Sequence, residues 1–320
     1  MPSPRSHSVL VSAARMYYLD GKSQGEIAKA LNVSRSSVSR ILSDARERGI
    51  VEIRLHPEGP LGRRGDLEAL LAEATGVGEV FVASRHSGRR PIDVVAELAA
   101  RVLEGRLPEL TSLGVSWGAT VAAMAQHALI EPIHQRIDLY PLVGGMPTLG
   151  TGPSGHEALD TLARKGGFTV HRFEAPAIVE SETTWKALLG ETSVRTAIEA
   201  AAGVPVAIVG IGSIGIYASP HIVSAMNLSA EEEREFLAQK PVGDICGQFY
   251  DARGDVLGPP TSERVIGITL DQLRAIPQVM GVAAGREKAP GVAGALRSGV
   301  LEVLVVDEDL AEAVLPLLND

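Results

Sequence analysis

The stretch that most constrains this chain is residues 23–49, SQGEIAKALNVSRSSVSRILSDARERG, which has the local grammar of a DNA-reading helix pair. Ser23 is a good N-cap and Glu26 completes a capping box, so the spacing predicts a helix over 24–31 with Ile27, Ala28 and Leu31 on one face. Residues 32–34 read as a short polar turn, in which Val33 would plug the angle between two helices and Ser34 would cap the second. That second helix is predicted over 35–48, where Val38, Ile41, Leu42 and Ala45 recur at helical spacing and make one buried stripe. Its opposite face begins with Arg35, Ser36, Ser37, Ser39 and Arg40 and meets no acid until Asp44, which crowds donors where a recognition helix meets bases and phosphates. With Ser23 and Gln24 at the start of the first helix, these residues are the candidate DNA contacts. An ordinary helical hairpin with a solvated polar face shares the amphipathic pattern. The turn length, the acid-free start of the second helix and the alternating stretch 50–55, a candidate wing strand, favour DNA.

Charge distribution supports that reading. The chain holds 30 basic and 39 acidic residues, a net of −9, which as an average argues against nucleic acid. The first 65 residues, however, carry 11 basic and 6 acidic side chains, and the remainder carries 19 and 33, so a head of +5 is joined to a body of −14. Only the head suits a phosphate backbone. A length of 320 residues predicts about two domains, and 45% apolar residues suffice for a sizeable core. Residues 8–19 are predicted as a first helix packing through Leu10, Ala13, Ala14 and Tyr17, and all periodicity breaks at 57–65. The expected organisation is therefore a winged helix-turn-helix DNA-binding domain at 1–56, a linker at 57–65 and a body at 66–320.

Arg15 interrupts the apolar run after Ser8, so no signal peptide is expected, and no stretch reaches the ~18 uninterrupted apolar residues of a membrane span. A cytoplasmic chain without a membrane partner is expected. The single cysteine, Cys246, excludes an internal disulfide and reads as a small buried hydrophobe between Ile245 and Gly247. No catalytic residue, metal site or cofactor is expected.

In the body, strand candidates at 79–83, 112–115, 136–142, 169–173, 206–210, 264–268, 279–283 and 301–306 alternate with helical runs at 92–103, 120–129, 156–165, 186–201 and 308–318. This alternation predicts a doubly wound, mostly parallel α/β sheet covered on both faces, with ligands bound outside the carboxyl ends of its strands. Glycine-rich loops fall there. In 114–120, GVSWGAT, Ser116, Gly118, Ala119 and Thr120 converge on a helix N-terminus, a natural anion cradle. The same letters match the hydrolase nucleophile elbow, but no HGGG-type oxyanion loop accompanies them. A turn that serves packing alone is the plain alternative. Gly144 and Gly145 form a second loop, LVGG. Gly210, Gly212 and Gly215 match the dinucleotide fingerprint, yet Pro220 interrupts where its helix should open, and Glu231, Glu232 and Glu233 begin a helix capped at Ser229. A regulator that senses NAD is thus a minor alternative. Asp244, between glycines, could accept sugar hydroxyls or sit in a solvated turn, and Lys288, at a helix start, either reaches solvent or meets an anion.

The head, together with GVSWGAT, LVGG, GIGS, GDICGQFYDARG, VIGI and VAAGREKA through LVVDE, resembles the SorC family of sugar-responsive bacterial transcriptional regulators, of the central glycolytic and deoxyribonucleoside regulator type. The likeness covers nearly the whole chain in motif order. It implies a winged helix-turn-helix joined to an effector domain of the phosphosugar-isomerase and CoA-transferase-like fold, assembled into oligomers that are typically tetramers. It also implies a phosphorylated sugar as effector, with Gly118, Ala119 and Thr120 cradling the phosphate, Lys288 reaching it and Asp244 facing the sugar hydroxyls. Val143 stands where some members place a Lys or Arg that contacts or covalently holds the effector, so a Schiff base through that position is not expected here.

The sequence thus points to a DNA-binding transcriptional regulator of a carbohydrate-related operon and not to an enzyme. Its expected partners are double-stranded operator DNA, a small phosphorylated sugar and further copies of itself, as a dimer or tetramer. A sugar-phosphate isomerase or hydrolase with a fused DNA-binding head is the competing class, but none of the eight histidines lies in a matched glycine motif to act as a base. A constitutive architectural DNA binder would not need eight strands of acidic body.

Overall fold

A computed structural model describes residues 6–51, 61–130, 136–146, 156–172, 174–215 and 219–318. The chain divides into two compact units, Met1–Pro60 and Leu61–Asp320.

The first unit contains α1 (His7–Tyr18), α2 (Gln24–Ala30) and α3 (Arg35–Glu47) around a small core of Leu10, Ala13, Ala14, Ile27, Val38, Ile41, Leu42 and Ala45. Local chemistry sets the helix starts. Ser23 N donates to Glu26 Oε2 at 2.8 Å and Glu26 N to Ser23 Oγ at 3.3 Å, while Ser34 Oγ accepts from Ser37 N at 3.1 Å. Asn32, at φ 53, supplies the left-handed step between the helices. Two expected packing residues face outward. Val33 is 38% and Tyr17 37% exposed, because the turn closes through its backbone, Val33 N to Ala28 O at 3.0 Å, and Ile27 and Val38 already fill the interior. Of the wing expected over 50–55, Ile50 and Val51 instead finish α3 by donating to Ala45 O at 2.9 and 3.2 Å, and 52–55 lie outside the described residues.

Residues 61–65, read from sequence as linker, are part of the second unit; 57–60 lie outside the described residues. Ser84 N donates to Gly62 O and Arg64 N to Val82 O, both at 2.9 Å, and α4 (Gly65–Thr75) follows. The chain continues through β1 (Glu79–Ala83), α5 (Pro91–Arg106), β2 (Ser112–Val115), α6 (Ala119–His127), β3 (Asp138–Pro141), α7 (Glu157–Gly166) and β4 (Thr169–Val170). Next come α8 (Glu182–Gly190), α9 (Thr192–Ala202), β5 (Val206–Gly210), α10 (Ser219–Ala225), α11 (Ala230–Ala238), β6 (Gly243–Ile245) and β7 (Gln248–Tyr250). The last elements are α12 (Leu270–Arg274), β8 (Gln278–Val282), α13 (Ala289–Arg297), β9 (Val303–Asp307) and α14 (Glu308–Leu318).

Seven strands form one parallel sheet in the order β1-β9-β8-β5-β2-β3-β4. The pleat sorts its apolar residues. Val303 and Val305 point to the core made with α5, α6 and α7, and Leu304 and Val306 to the core made with α4, α13 and α14. From β2 the chain moves toward β3, and from β5 toward β8 on the other side, so the winding reverses between two adjacent strands.

Three expectations need correction. Residues 264–268 are not a strand of the sheet but a strip bridged to Val143 through Gly267 and to Ile178 through Val265, since a short apolar run is equally compatible with a buried crossing segment. The glycine-flanked acid at 244 lies not in a free turn but in the antiparallel β6–β7 hairpin. The run 186–201 is broken at Glu191, which is extended at φ −69, ψ 129 just after Gly190, a poor helix former.

The LVGG loop illustrates packing tighter than its letters suggest. A Cβ on Gly144 would lie 2.5 Å from Ala175 O and 2.8 Å from Ala177 N, whereas one on Gly145 would meet nothing within 4 Å. Gly144→Ala is therefore expected to destabilise the second unit by ~1–3 kcal/mol, and Gly145→Ala to stay within ~0.5 kcal/mol of wild type. Urea unfolding followed by tryptophan fluorescence checks this, because both tryptophans, Trp117 and Trp185, belong to that unit. Equal midpoints for the two variants would contradict it.

Candidate functional site

At the carboxyl ends of β2 and β5, where the winding reverses, a cleft of about 800 Å³ opens. Its walls come from Trp117, Gly118, Ala119 and Thr120 after β2, from Gly210, Ile211 and Gly212 after β5, from Asp244 on β6 and from the 285–288 turn after β8. Arg90, Pro91, Ile92, Ile222, Ala284 and Asp309 complete it.

Gly118, at φ 126, makes the sharp entry to α6, and no side chain caps that helix. The first-turn amides of α6, including those of Ala119 and Thr120, have no intrahelical acceptor and sit at the positive end of the helix dipole, beside the cleft. Thr120 itself is buried.

Ser116 has a different role from the one its motif suggested. Its hydroxyl donates to Trp117 O at 3.0 Å and accepts from Gly210 N at 3.1 Å, so it is a buried strut joining the ends of β2 and β5, not a member of the cleft wall. A hydroxyl committed to both bonds is no elbow nucleophile. Gly144 and Gly145 also lie away from the cleft wall, their amides donating to Ile266 O at 3.0 Å and Ala175 O at 2.9 Å.

Asp244 and Lys288 supply the polar chemistry. Asp244, 4% exposed, accepts from Ser219 Oγ at 2.7 Å and from Gly247 N at 3.2 Å. Burial pushes its pKa up, against the opposing pull of Ser219, Gly247 and Lys288. Lys288 Nζ donates to Ile211 O at 2.9 Å, and burial pulls its pKa down while Asp244 and Glu287 resist. A cation and an anion thus share one low-dielectric site, a pairing able to hold an anionic group and accept hydroxyls from the same ligand. Cys246 is buried beneath, its thiol pushed well up by desolvation and by Asp244.

Of the ten positions expected from sequence, Gly118, Ala119, Thr120, Gly210, Gly212, Asp244 and Lys288 come together here. The reading missed Trp117, Ile211, Ile222, Arg90, Arg286, Glu287 and Asp309. Trp117 and Arg286 stand inside the motifs GVSWGAT and VAAGREKA, beside the glycines and the lysine that mark those loops.

On the first unit, Arg35, Ser36, Ser39 and Arg40 are exposed on α3, and no ion pair holds either arginine among the described residues. Ser37 is half-buried, and its hydroxyl lies 2.9 Å from that of Ser34, as does that of Ser36. Ser23 is committed to its capping box and Gln24 is half-buried.

Residues 60–316 match the family model described as "Putative sugar-binding domain", and residues 3–48 match that of Sigma-70, region 4. The transcriptional regulator LsrR of Enterobacter sp. (strain 638) is 32% identical over 313 residues, covering 97% of this chain and 93% of that protein. The deoxyribonucleoside regulator of Bacillus subtilis (strain 168) is 28% identical over 313 residues, covering 97% of each. The crystal structure of the full-length sorbitol operon regulator SorC from Klebsiella pneumoniae aligns with a TM-score of 0.73 at 27% identity, over 98% of this chain and 100% of that one.

The buried carboxyl of Asp244 has a pH signature. Its pKa is raised above 3.8 in the fold, so between 3.8 and the raised value the folded chain binds more protons than the unfolded one, and its contribution to stability is lost as pH rises. Asp307, raised chiefly by burial, acts with the same sign. Asp244→Asn keeps the bond accepted from Gly247 N through its amide oxygen, turns the Ser219 hydroxyl from donor to acceptor, and removes only the Asp244 share. Its stability in urea should therefore fall less from pH 4 upward than that of wild type; parallel curves would mean that Asp244 gives up its proton as readily folded as unfolded.

Proposed function

This chain belongs to the SorC family, DNA-binding transcriptional regulators with a sugar-binding domain, and on that footing we propose that it governs a carbohydrate-related operon by coupling operator binding to capture of a small phosphorylated sugar. One observation carries the reading: the open N-terminus of α6, the half-buried Lys288 and the buried Asp244 meet in a single cleft. The phosphate sits against the amides of Ala119 and Thr120, the Thr120 hydroxyl and the Lys288 ammonium, and Asp244 accepts hydroxyls from the sugar. Trp117, Ile211 and Ile222 give the carbon skeleton an apolar wall. Val143 is buried beside the tight Gly144 loop and is no part of the cleft wall, in keeping with a non-covalent effector.

The head binds double-stranded DNA with Arg35, Ser36, Ser39 and Arg40 toward the groove, while Ser34 and Ser37 hold the start of the recognition helix. Because one such helix reads only a few base pairs, the working species is a dimer or tetramer of the chain. The protein acts by binding and not by turnover, since the one motif serine is a structural strut.

Arg35→Ala and Arg40→Ala should each weaken operator binding, and each lost phosphate contact should lower the log-log salt slope by ~0.9. Arg253→Ala, on the second unit, should do neither. Unchanged affinity in gel-shift titrations of the Arg35/Arg40 double variant would refute the recognition-helix assignment. Thr120→Val and Lys288→Met should each cost ~1–3 kcal/mol in calorimetric binding of the best ligand from a panel of pentose and hexose phosphates, and leave operator affinity without sugar unchanged. Wild-type affinity in both variants would move the effector out of this cleft.

A further inference from the structure

Three consecutive residues at the junction of β9 and α14 between them hold Gly285, Arg64 and Arg85. Asp307, 5% exposed, accepts from Gly285 N at 2.7 Å through Oδ2 and caps α14 by accepting from Leu310 N at 3.1 Å through Oδ1. Glu308, also buried, accepts from the guanidinium of Arg64 and from Arg85 N, the latter at 2.7 Å. Asp309 lines the cleft and pairs with the Arg85 side chain.

The outer ends of these contacts matter. Gly285 opens the turn that brings Arg286, Glu287 and Lys288 to the cleft. Arg64 lies in the strip 61–64 by which the chain enters the second unit from the DNA-binding head, and that strip is hydrogen-bonded along β1 to Val82 and Ser84. Arg63 adds a guanidinium 4.6 Å from the centre of the Phe81 ring. Asp307 caps α14 through Leu310 N and Glu308 is the first residue of that helix, so a displacement of the cap shifts the turn that carries Glu308. Arg64 is shared between the buried Glu308 and the exposed Asp66, which accepts from Arg64 Nε at 2.9 Å and from Nη2 at 2.6 Å, so a shift of Glu308 redistributes the guanidinium between two carboxylates.

We propose that Asp307 and Glu308 are positioning residues that carry occupancy of the cleft to the strip 61–64. The proposal rests on the reading of the cleft as a phosphate-bearing sugar site. An anion that draws Lys288 moves the 285–288 turn, Gly285 moves Asp307, the first turn of α14 follows, and Glu308 changes its hold on Arg64. The effect at the strip is a change in the protection of its backbone, whatever the sugar.

The test is hydrogen–deuterium exchange on the full chain with inorganic phosphate as the probe, for wild type, Glu308→Gln, Arg64→Met and Arg64→Lys. In wild type, phosphate should slow exchange at 118–121 and 285–288, and also change it several-fold at 62–64 and 82–84. In Glu308→Gln and Arg64→Met the cleft response should persist while the response at the strip disappears, and Arg64→Lys, which keeps the charge, should retain part of it. Combining Glu308→Gln with Arg64→Met should remove nothing more than either alone. A cleft response without a strip response in wild type overturns the link and leaves the site standing, as does a strip response undiminished in both variants. No response at the cleft in wild type overturns the site and the link together. Partly exposed Arg64 tolerates substitution more readily than Glu308, so the Arg64 pair decides the matter if Glu308→Gln fails to fold.

Discussion

The pairing of β2 with β5 is the constraint on which the second unit depends. The ladder itself is short, Gly114 opposite Ala207 and Val115 opposite Ile208, and it is extended by Ser116 N donating to Ile208 O at 2.9 Å and by the Ser116 hydroxyl reaching Gly210 N. Because the chain leaves these two strands in opposite directions, their ends part and a gap opens that no crossover covers. The α6 amides, the Gly210–Gly212 backbone and the hairpin bearing Asp244 all owe their positions to that parting. Ser116 fixes the geometry from below without entering the cleft.

What could be read from the letters and what could not divides along a physical line. Capping boxes at Ser23–Glu26 and Ser229–Glu232 are local, involve residues three apart, and were legible because nothing distant competes with them. The parallel strands were legible too, since burial on both faces writes an uninterrupted apolar run. The strip at 264–268 and the hairpin around Asp244 were not, because each is decided by which remote backbone offers a partner, nor was the exposure of Val33, which depends on Ile27 and Val38 having filled the interior. Gly144 and Gly145 show the limit most plainly: two identical letters, one wedged against Ala175 and one open, with nothing nearby in sequence to tell them apart.

On the proposed reading, an acidic body holds an anion through local donors. Net charge acts at long range and is screened over ~8 Å at physiological salt, while amide donors at contact distance and a half-desolvated lysine are not. Burial disfavours the charged forms of Asp244 and Lys288 alike, and their mutual attraction offsets part of that cost. On that reading an incoming anion competes with Asp244 for Lys288, which ties binding affinity to the ionisation of the carboxyl.

The strip at 61–64 bears on how the second unit can be handled apart from the first. An open edge of a parallel sheet presents unpaired amides and carbonyls that recruit other chains, and natural sheets blunt such edges. Here Gly62 and Arg64 satisfy Ser84 and Val82 on the outer side of β1, and Arg63 roofs Phe81. A fragment begun at Asp66, where sequence periodicity resumes, would leave that edge bare and sticky; one begun at Leu61 would carry its own cover. Four residues that look like the tail of a linker are, for solubility, the rim of the sheet.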